Sequence, residues 1–207
     1  MRGQSTIQQR RQLLLWLAAA VLLYLAGAWQ HLHLGSILDP TLLFGDDGDG
    51  FFNLWVLLHN TIYGRQGLAS WMDGRIFWPE NGQTLFWSDI LILPTLPFAA
   101  FRAAGTALFT SFNLTVLLLS AAAYATLLLL LWKFGEWSAT GRKHAGPDWL
   151  ILLFCYSMVF SIPRLTTSIH FQNLSSFGVP LVLLGLCGFS AHGRRRWLAL
   201  ALAAEVG

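Results

Sequence analysis

The chain has 207 residues, of which 55% are hydrophobic and only 11% charged, with a formal net charge of +3. That balance excludes an ordinary soluble domain, in which roughly 25% of residues are charged, and it offers no extended basic surface for nucleic acid. The two cysteines, Cys155 and Cys187, both fall in apolar stretches, so neither a disulfide framework nor a metal-binding cysteine pair is expected.

Residues 12–38, 103–132 and 165–193 contain no Asp, Glu, Lys or Arg. Each exceeds the ~20 residues that a helix needs to cross a bilayer. Residues 148–163 form a shorter apolar stretch, enough for a tilted or partly buried span. The expected architecture is an all-α, polytopic transmembrane helical bundle. Its helices are predicted near 12–34, 106–132, 148–163 and 172–191, and a further one at 197–207 runs to the last residue given. The first stretch has a second reading as a secretory signal, with Arg10 and Arg11 before it and Ala26-Gly27-Ala28 as a small-residue site. Hydrophobicity continues beyond that site to Leu38, which favours a retained span.

Basic residues set the expected orientation. Arg2, Arg10 and Arg11 precede the first span, Lys133, Arg142 and Lys143 follow the second, and Arg194, Arg195 and Arg196 follow 172–191. Placing these groups in the cytoplasm satisfies the positive-inside rule for nine of the thirteen basic residues. Residues 1–11 are then a cytoplasmic N-terminus, and 35–105 form a long extracytoplasmic loop holding seven of the ten acidic residues. This topology requires 90–101, an apolar stretch with Pro94 and Pro97, to dip into the outer leaflet and return. A stretch of ~12 residues suits a re-entrant or interfacial segment.

The loop opens with Gly45-Asp46-Asp47-Gly48-Asp49-Gly50. Carboxylates beside a bilayer are costly to desolvate, so they face water or serve a function. The glycines permit backbone conformations that bring several carboxylates together, while the plainer reading is an exposed acidic turn. An EF-hand is excluded, because no register supplies the Glu at the twelfth position. Residues 49–63 predict an interfacial helix with a polar stripe of Asp49, Asn53 and Asn60, its apolar face on lipid and the stripe facing a cavity. Asp49 also suits the N-cap of that helix, and Gly64 its C-terminal stop.

Further on come Phe77-Trp78-Pro79-Glu80-Asn81-Gly82 and Phe86-Trp87-Ser88-Asp89. Glu80 and Asp89 are acid candidates with alternative roles as loop or cap residues. Trp55, Trp71, Trp78 and Trp87 suit interfacial anchoring, and their faces equally suit stacking on sugars. Arg164 and His170 flank Leu165-Thr166-Thr167-Ser168-Ile169 on the same predicted side. There Arg164 could bind a lipid phosphate by charge-assisted hydrogen bonds or sit among lipid headgroups. His31 and His33 do not share a helical face, which argues against a metal pair. Asn113-Leu-Thr115 and Asn173-Leu-Ser175 match the glycosylation pattern but fall in or beside spans, so both matches are expected to be accidental.

Three of these stretches resemble the N-terminal part of bacterial-type GT-C membrane glycosyltransferases. They are Gly45 to Trp55, Phe77 to Asp89, and His170-Phe171-Gln172-Asn173-Leu174. In order and spacing they cover most of residues 12–190. The resemblance implies a multi-pass protein of the bacterial inner or plasma membrane that uses a polyprenyl-phosphate sugar on the outer face. It implies a catalytic carboxylate at Asp46, with Asp49 and then Asp47 as the next choices. Glu80, Asp89, Arg164 and His170 are the implied donor-binding residues. No cofactor is certain; a divalent cation held by Asp46 and Asp49 is one option, since members of the family differ in metal use. Members also carry more spans, so the chain is expected to be an incomplete N-terminal portion. The competing expectation is a non-catalytic polytopic protein, either an assembly subunit or a lipid-linked sugar transporter. A transporter should carry ionisable groups within its spans, and 103–132 has none.

Overall fold

The computed structural model describes residues 2–44, 49–67, 91–138, 149–160 and 178–205. Among these residues there are seven α-helices and no strand: α1 (Arg2–His31), α2 (Asp49–Tyr63), α3 (Ile92–Ala103), α4 (Leu108–Ser138), α5 (Trp149–Val159), α6 (Gly178–His192) and α7 (Arg195–Glu205). Two are long and apolar enough to cross a membrane by length and composition, α1 over Arg10–His31 and α4 over Leu108–Phe134. At ~1.5 Å per residue they reach about 33 and 40 Å, against a hydrocarbon core of ~30 Å. The apolar helices α3, α5 and α6 have 12, 11 and 15 residues and fall short of that length.

Helix ends depart from the hydrophobic boundaries for local reasons. α1 starts at Arg2, because the Gln- and Arg-rich lead-in favours helix as much as the apolar residues after it do. α4 continues past Trp132 to Ser138. α3 ends in a Schellman motif: Gly105 has φ +86°, its N–H donates to the Arg102 carbonyl, and the Thr106 N–H donates to the Phe101 carbonyl. After Tyr63 the chain tightens into a 3₁₀ turn over Gly64–Gln66, and the positive φ (+104°) falls at Gly67 rather than at Gly64.

The chain divides into two compact units. Unit 1 comprises Met1–His31, Ala121–Arg164 and Ser176–Gly207; unit 2 comprises Leu32–Ser120 and Leu165–Ser175.

Unit 1 is held by aromatic and small-residue contacts between helices. α1 and the C-terminal part of α4 run antiparallel, with Trp16 against Trp132 (ring centroids 5.9 Å apart) and Tyr24 against Tyr124 (5.7 Å). α1 also packs on α5. At that contact Gly27 faces the Phe160 ring so closely that a Cβ would overlap it, and Ala28 is fully buried. Gly27 and Ala28 are therefore buried at an interhelical contact within a continuous helix. α6 and α7 form a tight hairpin: a Cβ on Gly185 would lie 2.6 Å from the Trp197 carbonyl oxygen, and one on Gly188 would meet the Trp197 indole. Trp137, near the end of α4, joins this hairpin edge-on against His192 (5.7 Å) and Trp197 (5.6 Å).

Candidate functional site

Most of the sequence-predicted site residues lie outside the described residues. This applies to Asp46, Asp47, Glu80, Asp89, Arg164 and His170, and to Trp71, Trp78 and Trp87. Asp49 is the first residue of α2. Both flanks of the acidic turn, however, are described, and both belong to unit 2.

The N-terminal flank is a compact, hydrogen-bonded segment. Two residues after α1, His33 sits in the left-handed region (φ 48°, ψ 47°), a conformation that costs a non-glycine residue about 1–2 kcal/mol. A 3₁₀ turn follows at Leu34–Ser36. Asp39 then accepts hydrogen bonds at Oδ1 from both the Thr41 hydroxyl (2.6 Å) and the Thr41 N–H (2.8 Å), an Asx turn. These two bonds, the hydroxyl's first, hold the exposed Asp39 carboxyl below its usual pKa.

A single side chain, Asn113 in the second turn of α4, ties this segment down. Its Nδ2 donates to the carbonyls of Leu42 (2.8 Å) and Ile37 (3.4 Å), and its Oδ1 accepts from the Phe44 N–H (2.8 Å). Asn113 is 3% exposed. The partners lie 69 to 76 residues away in sequence, and the last of them is the residue immediately before Gly45. The glycosylation pattern at Asn113 is thus accidental, its amide being consumed inside the fold. At about 1 kcal/mol net per hydrogen bond, the three bonds contribute on the order of 3 kcal/mol.

The C-terminal flank is α2, which begins at Asp49, where the spacing places it. The polar stripe is present but is not open. Asn53 and Asn60 are each 2% exposed, and α2 packs on α3. Asn60 Nδ2 donates to Thr95 Oγ1 (3.1 Å), and the Thr95 hydroxyl donates onward to the Leu91 carbonyl (2.7 Å). Leu91 itself sits in the left-handed region (φ 49°), so this short chain of hydrogen bonds also braces a strained start to α3. Of the expected cavity-facing stripe, Asn53 and Asn60 are instead buried, with Asn60 at a helix–helix contact, while the Asp49 side chain lies outside what is described. A buried amide lowers its free energy most by finding a partner, and Thr95 supplies one. The apolar residues Phe51 and Ile62 remain exposed, as an interfacial helix requires.

One edge of α2 carries a column of four rings. Phe52 stacks on Trp55 (6.3 Å), Trp55 on His59 (5.2 Å), and His59 packs against Tyr63 (4.8 Å). Trp55 therefore has neighbours along its own helix. At the helix start, Phe51 meets Phe109 of α4 edge-on at 6.0 Å.

The start of α4 adds a further polar layer. Thr110, Ser111, Asn113 and Thr115 are all buried. The Ser111 hydroxyl donates to the Ala107 carbonyl (2.8 Å) and the Thr115 hydroxyl to the Ser111 carbonyl (2.8 Å), the usual way a helix in an apolar setting satisfies such groups. Arg102 and Thr106 close the α3–α4 turn: the Arg102 guanidinium donates to the Thr106 carbonyl, and the Thr106 hydroxyl donates to the Phe101 carbonyl (2.9 Å).

Thr95 and His59 carry no expectation in the sequence, and Asn113 figures there only as a glycosylation match, not for its bracing role. A signal existed for Asn113, since an amide within a charge-free apolar stretch must find partners. Among the described residues no group of three His, Cys, Asp or Glu side chains converges as a metal site. No protein-family model, curated protein or solved structure matches this chain.

Proposed function

We propose that the chain belongs to a multi-pass membrane glycosyltransferase of the GT-C type, acting on a polyprenyl-phosphate sugar at the extracytoplasmic face. The observation that carries the reading is the pinning of the acidic turn's approach. Asn113 holds Phe44 on one side, and on the other α2 begins at Asp49 and is tied to α3 through Asn60 and Thr95. Only four residues, 45–48, separate these two braced flanks in the sequence. A general base in group transfer has to be held in place, and the residues on either side of 45–48 are held.

Asp46 takes the proton from the acceptor hydroxyl as that oxygen attacks the anomeric carbon of the donor. The new C–O bond forms as the anomeric bond to phosphate breaks, and polyprenyl phosphate departs with the electron pair. Asp49 and Asp47 flank the base, and Glu80 and Asp89 accept hydrogen bonds from sugar hydroxyls. The departing phosphate needs positive charge, from Arg164 and His170 or from a divalent ion on Asp46 and Asp49.

The test uses membranes holding the full-length protein and a panel of polyprenyl-phosphate hexoses and pentoses, with release of polyprenyl phosphate as the readout. Asp46→Asn lowers release at least ~100-fold, within the range that general-base catalysis supplies. Release at the parental rate in that variant rejects Asp46 as the base. Loss of activity on chelation, restored by magnesium or manganese, assigns the phosphate charge to an ion. Insensitivity to chelation assigns it to Arg164 and His170.

A further inference from the structure

Within unit 1, α1 and α4 leave a groove of about 440 Å³ between them, lined by Trp16, Ala20 and Tyr24 on one side and Tyr124, Ala125 and Trp132 on the other. That volume falls in the ~300–1,000 Å³ range of ligand sites. From the Trp16–Trp132 contact to the Tyr24–Tyr124 contact is eight residues on either helix, about 12 Å at ~1.5 Å per residue. The groove is therefore a straight apolar channel along the helices, with an indole pair at one end.

Positive charge gathers at the indole end. Lys133 directly follows Trp132, with its Nζ 5.3 Å from that ring's centroid, and it lies one helical turn beyond the lining residue Leu129. Arg10 is exposed two turns before the lining residue Leu17, in the same row of α1, and Arg11 is exposed beside it. On the antiparallel register Lys133 is level with Leu15 and Arg11 with Trp137. Trp137 in turn contacts Trp197 and His192, so the exposed Arg194, Arg195 and Arg196 belong to this same end.

We infer that this groove is a binding site for one anionic phospholipid. An acyl chain lies along the open side of the groove, over Leu17, Val21, Ala125 and Leu129 with the paired rings as its floor, the indoles sit at the level of the glycerol backbone, and the phosphate is held by Lys133 and Arg10. Long basic side chains reach from apolar helices to phosphate in this way, with the stem on hydrocarbon and the head at the interface. The inference rests on the reading that α1 and α4 span a membrane. It concerns the basic end of unit 1 and is independent of the sugar-transfer chemistry.

The experiment uses the full chain in vesicles, with phosphatidylglycerol or phosphatidylcholine carrying a photoactivatable acyl chain at equal mole fraction. Crosslinked peptides are mapped by mass spectrometry. Phosphatidylglycerol should label residues 16–24 and 124–132 roughly 25-fold more than phosphatidylcholine, two cations at about fivefold each. Lys133→Gln and Arg10→Gln should each lower that ratio roughly fivefold, the equivalent of about 1 kcal/mol per cation. Ala125→Phe, at an exposed position of the wall, should abolish labelling of the groove and leave the protein in the vesicles. Equal labelling by the two lipids overturns the site, and so does a preference that survives Ala125→Phe, since that preference is then surface attraction. Release of the protein by alkaline carbonate overturns the membrane-spanning reading itself, a result distinguishable from retention with unselective labelling.

Discussion

Among the described residues, the nine buried Asn, His, Ser and Thr side chains all lie in unit 2: Asn53, His59, Asn60, Thr95, Thr110, Ser111, Asn113, Thr115 and Ser120. Unit 1 instead buries Trp16, Ala20, Ala28, Leu128, Leu152, Cys155 and other apolar residues. The helices of both are apolar in composition, yet they are specified differently. Unit 1 is fixed by shape, with glycines against rings and backbone, and unit 2 by hydrogen bonds that each have one acceptable geometry. Polar networks of that kind lose stability steeply when one member is removed, and they hold backbone positions closely. Unit 2 is thus the part suited to positioning reactive groups, and unit 1 the part suited to an anchor.

The largest stability effect is expected at Asn113. Asn113→Ala removes three hydrogen bonds and should destabilise the protein by about 3 kcal/mol, read as the midpoint of thermal unfolding in detergent. Asn113→Asp sets a buried carboxylate oxygen against the Leu42 and Ile37 carbonyls and should cost at least as much as Ala. A neutral Asn113→Ala would dissolve the contrast between the units. The matching probe of unit 1 is Gly27→Leu, which forces a side chain into the space of the Phe160 ring and should cost about 1–3 kcal/mol. A variant that is tolerated would show α1 and α5 free to separate.

Tyr124 sharpens the contrast from the other direction. Its hydroxyl is buried with no hydrogen-bond partner among the described residues. Tyr124→Phe should therefore stabilise the protein by about 1 kcal/mol, whereas loss of stability would reveal a polar contact within unit 1. The smallest effect belongs to Asp39. Its carboxyl, held below the usual range by Thr41, contributes stability above the ordinary aspartate pKa that is lost as pH falls through the depressed value. Thr41→Val removes the hydroxyl donor and should move the Asp39 titration, followed by NMR, upward toward the ordinary range.

The sequence carried the local features well and the long-range ones poorly. The charge-free stretches announce α1 and α4, because a run that long without an ionisable group has few other uses. The start of α2 at Asp49 and its end at Tyr63 follow from an acidic N-terminus and a trailing glycine. The spacing of Asn53 and Asn60 revealed a polar stripe but not its partner, since Thr95 lies 35 residues away. Asn113 is harder still, because its partners are backbone atoms near residue 40 that bear no side-chain signature. His33 and Leu91 in the left-handed region defy residue preference altogether, and only tertiary context places them there. The acidic turn itself is legible as composition, while its setting emerged only from the two flanks.

The account depends most on the outward placement of the acidic loop relative to the basic end of α4. In a background with Cys155 and Cys187 replaced by serine, single cysteines at Ser70 and Thr140 would be exposed to a membrane-impermeant thiol reagent in intact cells. The account predicts that Ser70→Cys reacts at once and that Thr140→Cys reacts only after permeabilisation. Reaction of both from the same side would contradict it.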